Sequence, residues 1–414
     1  MKLMEVILQD ENLEEAIKRV KSNKGVAGVD KMTVDEIDEY FKSNKETIKK
    51  QILEKKYRPQ PVRRVYIPKS NGRKRPLGIP TVEDRVIQQA IAQVLTKIYD
   101  DTFSDNSFGF RPNRSAQNAI MRTLDYLNEG YEWVVDLDLR ERVFDSATLH
   151  LVRKFLQAGI MEKGLVKSNT IGMPQGGPLS PILSNIYLDK FDKELEQRGL
   201  HFVRYADDSN IFVKSEMAAN RVMKSVTSWL ERKLFLKVSS TKTKVVRPTN
   251  SNFLGFTYWK GSSKWECKPT KKSKKSLYDK CRKELIRKKC VAQTNAKTFT
   301  RINQIVKGWI NYFRIGRMKN FIDEFGQWLR HKIRVILLKQ WKTPSRIYKN
   351  LQKLNEKLPY HFSDEQLYSV ANTRLGLYKQ ANGNVFNFLL NADILAIRKE
   401  ERPGLVNPLA YYLR

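Results

Sequence analysis

Cysteine and histidine are scarce in this sequence. Its 414 residues include three cysteines and four histidines, and Cys267, Cys281 and Cys290 form no Cys-x-x-Cys pair. The spacing typical of a zinc site is therefore missing. No apolar run reaches the roughly 18 residues that span a bilayer, and the N-terminus lacks the pattern of a cleavable signal. We expect a protein of the reducing cytoplasm that does not enter a membrane.

Acidic residues are also few in comparison with basic ones. The 77 lysines and arginines outnumber the 44 aspartates and glutamates, which gives a formal net charge of +33 and a pI near 9.9. A basic disordered tail would be poor in hydrophobic residues, whereas 41% of this chain is hydrophobic. The composition therefore indicates a folded protein with a polyanionic partner, with nucleic acid ahead of a membrane surface. The length predicts two or three domains.

Hydrophobic periodicity predicts where the regular elements lie. Apolar residues at helical spacing predict helices over residues 5–20, 81–99, 182–199, 217–235, 299–316 and 328–341. Residues 57–69 alternate basic and apolar side chains, Asn71-Gly72 is a hairpin turn and residues 73–80 return, which predicts a basic β-hairpin. Gly25–Asp30 is a glycine turn, either a plain connection or a close approach to nucleic acid.

The segment His201–Ser215 carries the strongest functional signal. Two short apolar runs, Phe202–Tyr205 and Asn210–Val213, flank a polar turn, which predicts a second hairpin. Asp207 and Asp208 are adjacent in that turn, where their charges repel, and a bound divalent cation would remove the repulsion. Oxygen ligands on a rigid hairpin suit Mg²⁺. The alternative is a solvated turn that happens to contain two aspartates.

A second acidic strand lies upstream, at Trp133–Leu139. Asp136 and Asp138 project from one face of it, because side chains alternate along a strand. Acids on a strand of this buried type need a partner. Asp136, together with Asp207 and Asp208, could hold two cations about 3.5–4 Å apart, which is the arrangement used for in-line phosphoryl displacement.

Further motifs in a fixed order extend this pattern over essentially the whole chain. They are Arg63–Pro68, Leu77–Pro80, Ser107–Pro112, Met173–Pro181, Phe253–Phe256 and Gly308–Arg314. The Tyr-Ala-Asp-Asp turn after a Val-Val-Asp strand resembles the palm of a reverse transcriptase. The ordered set resembles the blocks of bacterial group II intron reverse transcriptases (maturases), and Gly308–Arg314 resembles their thumb.

The resemblance implies a fold and a domain order. The expected fold is an α+β right-hand polymerase, with fingers and palm, a helical thumb and a small helical C-terminal module. The expected boundaries are 1–90 for the N-terminal extension and fingers, 91–262 for the palm with the remaining finger elements, 263–341 for the thumb and 342–414 for a nucleic-acid-binding module. The chain has neither the length nor the cysteine pairs for the His/Asn-type endonuclease module of some family members.

The resemblance also implies site residues. The catalytic and metal-binding set is Asp136, Asp207 and Asp208, with the backbone of Leu137, around two Mg²⁺ ions. The expected nucleotide contacts are Arg63 (or Arg64), Lys69, Arg75, Arg111, Gln175 and Lys242. The expected nucleic-acid contacts are Arg114, Gly176, Gly255, Lys271, Lys272, Lys275, Arg282, Arg314 and Arg330. The alternatives are a solvated basic hairpin at residues 57–80, a structural loop at 172–178 and a solvated charge run at 266–290.

One segment departs from the family pattern. After Asp136–Leu139, relatives continue with a Glu-Lys-Phe-Phe-Asp type segment and a long helix, whereas this chain continues with Arg140–Asp145 and soon reaches Leu151–Ile160. The connection is shorter by roughly four helical turns of about 3.6 residues each. Phe144-Asp145 is either a shifted remnant or a coincidence of a different helix. The lost part would include the aromatic residue expected to exclude a 2′-hydroxyl, which leaves deoxynucleotide selectivity open.

The function that the resemblance implies is RNA-directed DNA synthesis. The expected partners are an RNA template with a DNA or RNA primer, deoxynucleoside triphosphates, a group II intron RNA whose splicing the protein assists, and target DNA; a homodimer is left open. The rival hypothesis is an RNA-binding splicing factor with an impaired palm. A defence- or retron-type reverse transcriptase is disfavoured by the thumb block. Binding through about 6–10 phosphate contacts would weaken by on the order of 10³–10⁵ between 50 and 200 mM salt.

Overall fold

The computed structural model describes residues 3–68, 72, 74–140, 151, 154–155, 158–162, 164–167, 176–239, 243–356, 358, 361–397 and 403–414. The chain divides into two compact units, Met1–Arg247 and Pro248–Arg414. The finer four-part division expected from the sequence stays a prediction. No described helix is long and apolar enough to cross a membrane.

The first unit combines helices with two sheets. Its described helices are α1 (Leu3–Ile7), α2 (Asp10–Ser22), α3 (Ile37–Leu53), α4 (Val82–Tyr99), α5 (Ala116–Asn128), α6 (Ser180–Gln197) and α7 (Glu216–Lys233). Its described strands are β1 (Val62–Pro68), β2 (Lys74–Ile79), β3 (Trp133–Arg140), β4 (Ile160–Glu162), β5 (Leu165–Lys167), β6 (His201–Tyr205), β7 (Asp208–Val213), β8 (Lys237–Val238) and β9 (Lys244–Val246).

Helices α1 to α4 form an N-terminal layer around one apolar core. The sequence predicted a single helix over residues 5–20, and that prediction is wrong in one respect, because the helix breaks between α1 and α2. The Asn12 side-chain amide donates to the carbonyl oxygen of Ile7 at 2.8 Å, which satisfies an end of α1. Helix α4 begins as predicted after Thr81, whose hydroxyl accepts from the backbone N–H of Asp84 at 3.1 Å. Most of α4 is buried.

The smaller sheet of the first unit has the strand order β2-β1-β4-β5. Strands β1 and β2 pair antiparallel with Arg63 opposite Ile79, which confirms the predicted basic hairpin. Strand β4 runs parallel to β1, and β5 returns antiparallel to β4. The basic hairpin therefore belongs to a four-stranded layer.

The larger sheet has the order β6-β7-β3, and β3 also pairs with β8 and β9 on its other side. The acidic strand β3 is thus central. One face of this sheet carries Val135, Leu137 and Ile211, which pack against apolar side chains of α6 and α7. Because side chains alternate, the even-numbered residues of β3, including Asp136, project from the opposite face. This alternation is the physical reason that an acidic residue can lie on a strand with a buried apolar side.

The second unit begins with a hairpin and continues as helices. Its strands are β10 (Phe256–Lys260) and β11 (Trp265–Pro269), and its described helices are α8 (Lys271–Glu284), α9 (Arg287–Ala292), α10 (Asn295–Phe313), α11 (Lys319–Trp341), α12 (Pro344–Asn355), α13 (Asp364–Ala371), α14 (Leu377–Gln380), α15 (Asn384–Leu389), α16 (Ala392–Ala396) and α17 (Pro408–Leu413). Helix α10 overlaps the helix predicted over residues 299–316, and it buries Ile302, Val306, Trp309, Ile310 and Phe313. Cys267, Cys281 and Cys290 are all buried in this unit.

Candidate active site

The predicted Asp-Asp hairpin is present. Tyr205 and Asp208 are backbone partners, so Ala206 and Asp207 form a two-residue turn between β6 and β7. Ala206 has a φ of +57°, in the left-handed region that side chains rarely adopt. A positive φ at the first of two turn residues is characteristic of a type II′ turn. Asp207 is half-buried and Asp208 is exposed.

The strand register brings carboxylates from two strands to one face. Asp136 on β3 lies opposite Asn210 on β7. Residues opposite each other in an antiparallel pair project to the same side, and Asp208 lies two residues from Asn210 on the same strand. Asp136 and Asp208 therefore share one face of the sheet, and Asp207 lies in the adjoining turn.

Asp136 has two polar neighbours that the sequence analysis missed. On β9, Lys244 lies opposite Asp136, and its Nζ is 3.9 Å from Asp136 Oδ2. Asn210, with its amide oriented to satisfy its hydrogen bonds, donates to Asp136 Oδ1 at 3.0 Å. Both neighbours therefore hold the Asp136 carboxylate in place on this face. Lys242, expected near this site from the sequence, lies outside the described residues, and Lys244 is identified by the pairing of β9 with β3.

The donor set suits magnesium in its chemistry. Carboxylate oxygens are the ligands that Mg²⁺ prefers, and it takes only a few of them from a protein. Within the part of the chain that the structure describes, no three His, Cys, Asp or Glu side chains are close enough to form a metal cluster. The structure thus provides carboxylates on one face and in the adjoining turn, while a two-ion site remains a proposal.

A buried arginine lies directly beneath the turn. The Arg204 guanidinium makes a bidentate ion pair with Asp192 on α6, with distances of 2.7 Å from Nε to Oδ1 and 2.6 Å from Nη2 to Oδ2. Its Nη1 donates to Asn185 Oδ1 at 3.1 Å and to the carbonyl oxygen of Ala206 at 3.0 Å, and Nη2 donates to the Ser107 hydroxyl at 2.8 Å. One side chain therefore ties a helix, a loop and the aspartate turn together.

The loop that contains the Phe-Gly-Phe-Arg motif supports the turn from the other side. The Gly109 carbonyl accepts from the Asn185 amide at 2.8 Å. A Cβ at Gly109 would lie 2.4 Å from the backbone nitrogen of Ala206, so only glycine fits here. The backbone N–H of Phe108 donates to the Arg204 carbonyl at 2.9 Å. The motif thus acts as a brace for the hairpin.

Arg111, expected to contact the triphosphate, is buried in this brace. Its guanidinium donates to the carboxylate and the carbonyl of Asp100, both at 2.7 Å, and to the carbonyls of Ser104 at 2.7 Å and Ser107 at 3.0 Å. This placement argues for a structural role. Arg114 is more accessible, and its two terminal nitrogens donate to the carbonyl and the carboxylate of Asp105, each at 2.7 Å.

Arg63, a second expected triphosphate contact, holds the N-terminal glycine turn. Its Nη2 donates to the carbonyl of Ala27 at 2.7 Å. A Cβ at Gly28 would lie 2.7 Å from Thr81 Cα. The turn therefore packs closely against the strand-to-helix junction, which supports a plain connection. Arg75 is exposed on β2.

Gly176, expected to lie under nucleic acid, is pressed against β2. Its φ is +131°, and a Cβ there would lie 2.4 Å from the carbonyl oxygen of Gly78. The close approach of β2 therefore explains why glycine is needed at this position. Lys69 and Gln175 lie outside the described residues, as does Phe144-Asp145 of the shortened connection.

The second unit presents basic side chains on α8. Lys271, Lys272 and Lys275 are exposed, while Leu277 and Cys281 of the same helix are buried. Arg282 lies over the rings of Tyr278 and Trp328, with its Cζ 5.5 and 5.7 Å from their centroids. The helix is therefore amphipathic, with a cationic outer face.

Of the other three expected contacts in this unit, two have hydrogen-bond partners within the protein and one is half-buried. Gly255 has a φ of +81°, and its carbonyl accepts from the Ser273 hydroxyl at 2.9 Å. Arg314 donates to the carbonyl of Tyr411 on α17 at 2.9 Å. Arg330 is half-buried on α11, and burial lowers the pKa of its guanidinium. These contacts support structural roles beside any role in binding.

Comparison with known proteins identifies the class to which this fold and site belong. Residues 67–258 match the family model described as reverse transcriptase (RNA-dependent DNA polymerase). This match includes the returning strand β2 of the basic hairpin, the brace and both aspartate strands, and it implies the right-hand polymerase fold. Residues 274–355 match the model of the group II intron maturase-specific domain.

Relatives narrow the assignment. The chain is 32% identical over 300 residues to protein YkfC of Escherichia coli (strain K12), covering 59% of this chain and 79% of that protein. It is 39% identical over 209 residues to the group II intron-encoded protein LtrA of Lactococcus lactis subsp. cremoris, covering 46% of this chain and 34% of LtrA. A putative COX1/OXI3 intron 2 protein of Saccharomyces cerevisiae is 32% identical over 251 residues, which cover 56% of this chain and 28% of that protein. The chain belongs to the group II intron reverse transcriptase and maturase family.

Proposed function

We propose that this chain is an active RNA-directed DNA polymerase that also binds a group II intron RNA to assist its splicing and mobility. The observation that carries the proposal is the shared sheet face of Asp136 and Asp208 beside the Asp207 turn, within the reverse transcriptase domain. Such a face supports the proposal because carboxylates from two strands would lie around one reaction centre.

The reaction joins a primer 3′-hydroxyl to the α-phosphate of a deoxynucleoside triphosphate, and pyrophosphate leaves. Asp136, Asp207 and Asp208, with the carbonyl of Leu137, would hold two Mg²⁺ ions. When bound, these ions lower the pKa of the attacking hydroxyl and stabilise the charge on the leaving group. Lys244 and Asn210 would hold the Asp136 carboxylate in its orientation. The Arg204 and Gly109 contacts fix the turn before substrate arrives.

Basic side chains would hold the substrates. The residues that we propose as triphosphate contacts are Arg75, Lys69, Gln175 and Lys242. Arg63 and Arg111 would have structural roles, because each donates hydrogen bonds to protein carbonyls. The cationic face of α8 would follow the phosphates of the template–primer or the intron RNA. The net charge of +33 supports such polyanionic partners. The proposal also includes the binding of target DNA and a location in the cytoplasm.

Primer extension on an RNA template tests the polymerase proposal. The reaction contains Mg²⁺ and deoxynucleotides, and a parallel reaction contains ribonucleotides. We expect extension by the parent and its loss in Asp207→Ala, since the turn carboxylate is removed. Asp101→Ala removes an exposed aspartate elsewhere in the first unit and serves as the matched control, with activity like the parent.

The outcomes separate the two functions under consideration. Extension with ribonucleotides would show that the shortened connection after Asp136 has cost the enzyme its sugar selection. A parent that is folded and binds intron RNA but extends no primer would overturn the polymerase proposal. That result would favour the splicing factor with an impaired palm, for which the shortened connection is the supporting observation.

A further inference from the structure

An exposed aromatic side chain lies beside the aspartate turn. Phe110 is 62% exposed. Its ring centroid is 6.3 Å from that of Tyr205, with the ring planes at 45°. Tyr205 is the strand residue paired with Asp208. Two aromatic rings therefore form a surface at the edge of the proposed reaction centre.

The backbone of Phe110 is held in an unfavourable conformation. Its φ is +58°, in the left-handed region where a bulky side chain is rare. Gly109 on one side is pressed against Ala206 and held by Asn185. Arg111 on the other side is fixed by its hydrogen bonds to Asp100, Ser104 and Ser107. The flanking residues thus impose the conformation that turns Phe110 outward.

The other phenylalanine of this motif, Phe108, is buried in the core. Phe108, two residues earlier, is only 6% exposed, and the Arg114 guanidinium lies 5.6 Å from its ring centroid. A single exposed apolar residue needs no explanation. Phe110 differs because its strained backbone holds the ring against Tyr205, next to the aspartate turn. Such strained positions concentrate at functional sites.

We propose that Phe110, with Tyr205 beside it, is a stacking surface for a nucleobase held next to Asp207 and Asp208. The inference rests on the proposed function, since it takes this turn as the reaction centre. Every base offers a π-face, so an aromatic surface binds nucleic acid without regard to sequence. The base belongs either to the primer–template or to the incoming nucleotide, and the experiment distinguishes these two sources.

Binding measurements that need no catalysis test the proposal. A fluorescent RNA template with a dideoxy-terminated DNA primer gives the Kd of the duplex by anisotropy. The duplex titration is then repeated at increasing concentrations of the matched deoxynucleotide. The decrease in the Kd of the duplex gives the Kd of the nucleotide. We expect Phe110→Ala and Phe110→Leu to weaken one of these steps by roughly 5- to 100-fold, and Phe110→Tyr to keep it, since only the aromatic face matters.

Two further variants separate stacking from a structural role. Phe110→Gly relieves the positive φ, so its melting temperature should equal or exceed that of the parent while binding weakens. Phe235→Ala removes another exposed phenylalanine at positive φ, 71% exposed with φ +51°, and should bind like the parent. A primer carrying 5-iodouracil at its 3′ end should photocrosslink to Phe110 or Tyr205 if the base is the primer's.

The results decide between clear alternatives. Weakened duplex binding assigns the base to the primer–template, and weakened nucleotide binding assigns it to the incoming nucleotide. Binding of both ligands within twofold of the parent in Phe110→Ala overturns the proposal, and so does an equal loss in Phe235→Ala. A parent that binds both ligands without extending a primer would refute the polymerase function alone, because the binding measurements would still test Phe110. A parent that binds neither ligand would refute both.

Discussion

Arg204 and Asp192 form a bidentate ion pair in which both side chains are completely buried. A buried pair is tolerated when its remaining donors are also satisfied. The other donors of Arg204 reach Asn185, Ser107 and the carbonyl of Ala206. The pair is therefore also the anchor of the turn that carries Asp207, and stability and activity should respond to it differently.

Breaking this pair should destabilise the first unit strongly. Arg204→Met leaves the Asp192 charge buried without its partner, and we expect the free energy of unfolding to fall by about 3–5 kcal/mol. Urea denaturation followed by circular dichroism would measure this loss. A loss below about 1 kcal/mol, typical of surface ion pairs, would contradict the burial described above.

Replacing both partners should recover stability but not activity. The double variant Arg204→Met, Asp192→Leu removes both charges and keeps apolar volume, so most of the lost stability should return. It still lacks the donor to the Ala206 carbonyl, so we expect primer extension to fall at least tenfold while RNA binding stays near that of the parent. Full activity in a stable double variant would show that Arg204 does not position the turn.

Two glycine-to-alanine changes should have opposite effects. In Gly109→Ala the new Cβ would lie 2.4 Å from the backbone nitrogen of Ala206, so the brace must separate from the turn, at a cost of about 1–3 kcal/mol and with loss of primer extension. Gly308→Ala lies within α10 with no atom within 4 Å of the new Cβ. There we expect a gain of about 0.5–1 kcal/mol. Thermal melts of both variants, with extension assays, would test the contrast.

Stability should depend on pH through Asp84. Burial raises the pKa of this carboxyl from 3.8 to about 6. Between these values the folded chain binds more protons than the unfolded chain, so the contribution of Asp84 is fully present below about pH 4 and is lost as the pH rises through 6, a change of about 2–3 kcal/mol. Asp84→Asn removes this titration. Relative to the parent, the variant should gain that amount between pH 4 and 7 in urea denaturation. A difference between the two proteins that stays constant with pH would refute the prediction.

The cationic face of α8 should set part of the salt dependence of RNA binding. In a variant with Lys271, Lys272 and Lys275 changed to glutamine, we expect the slope of log K against log salt to become shallower by about 2–3, since each lost phosphate contact removes nearly one unit. Filter binding from 50 to 300 mM KCl would measure it. The matched control changes the same three lysines to arginine, which keeps the charge and should keep the slope. If the glutamine variant keeps the slope of the parent, these three lysines do not contact RNA phosphates.

Local pattern was sufficient to predict much of the fold. The hairpin at Asp207 and Asp208, the basic hairpin at residues 62–79 and the start of α4 after Thr81 all follow from turn chemistry, alternation and capping, which act within a few residues. The family resemblance supplied the order of the parts. The break between α1 and α2 was missed because the apolar spacing continues across it; the Asn12 amide, which donates to the Ile7 carbonyl there, is not part of that pattern.

The side-chain contacts that the sequence did not predict join residues that are distant along the chain. Arg111 and Arg63 are basic residues in motifs where phosphate contacts are expected. Nothing in the neighbouring sequence reveals that Arg111 donates to Asp100 and Arg63 donates to the Ala27 carbonyl. Arg204 was read as part of an apolar strand, whereas its partners come from residues 107, 185 and 192. Lys244 became a neighbour of Asp136 only through the pairing of β9 with β3.

The three buried cysteines of the second unit have a practical consequence. Burial raises the pKa of the Cys267 thiol to about 11 and that of Cys281 to about 12, and it also raises the pKa of Cys290. The thiolate is the reactive form, so these residues should react slowly with maleimides at neutral pH. A new surface cysteine at the exposed control position, Asp101→Cys, would then be labelled selectively in the otherwise unaltered chain. The arrangement makes this protein suited to single-site attachment of a dye.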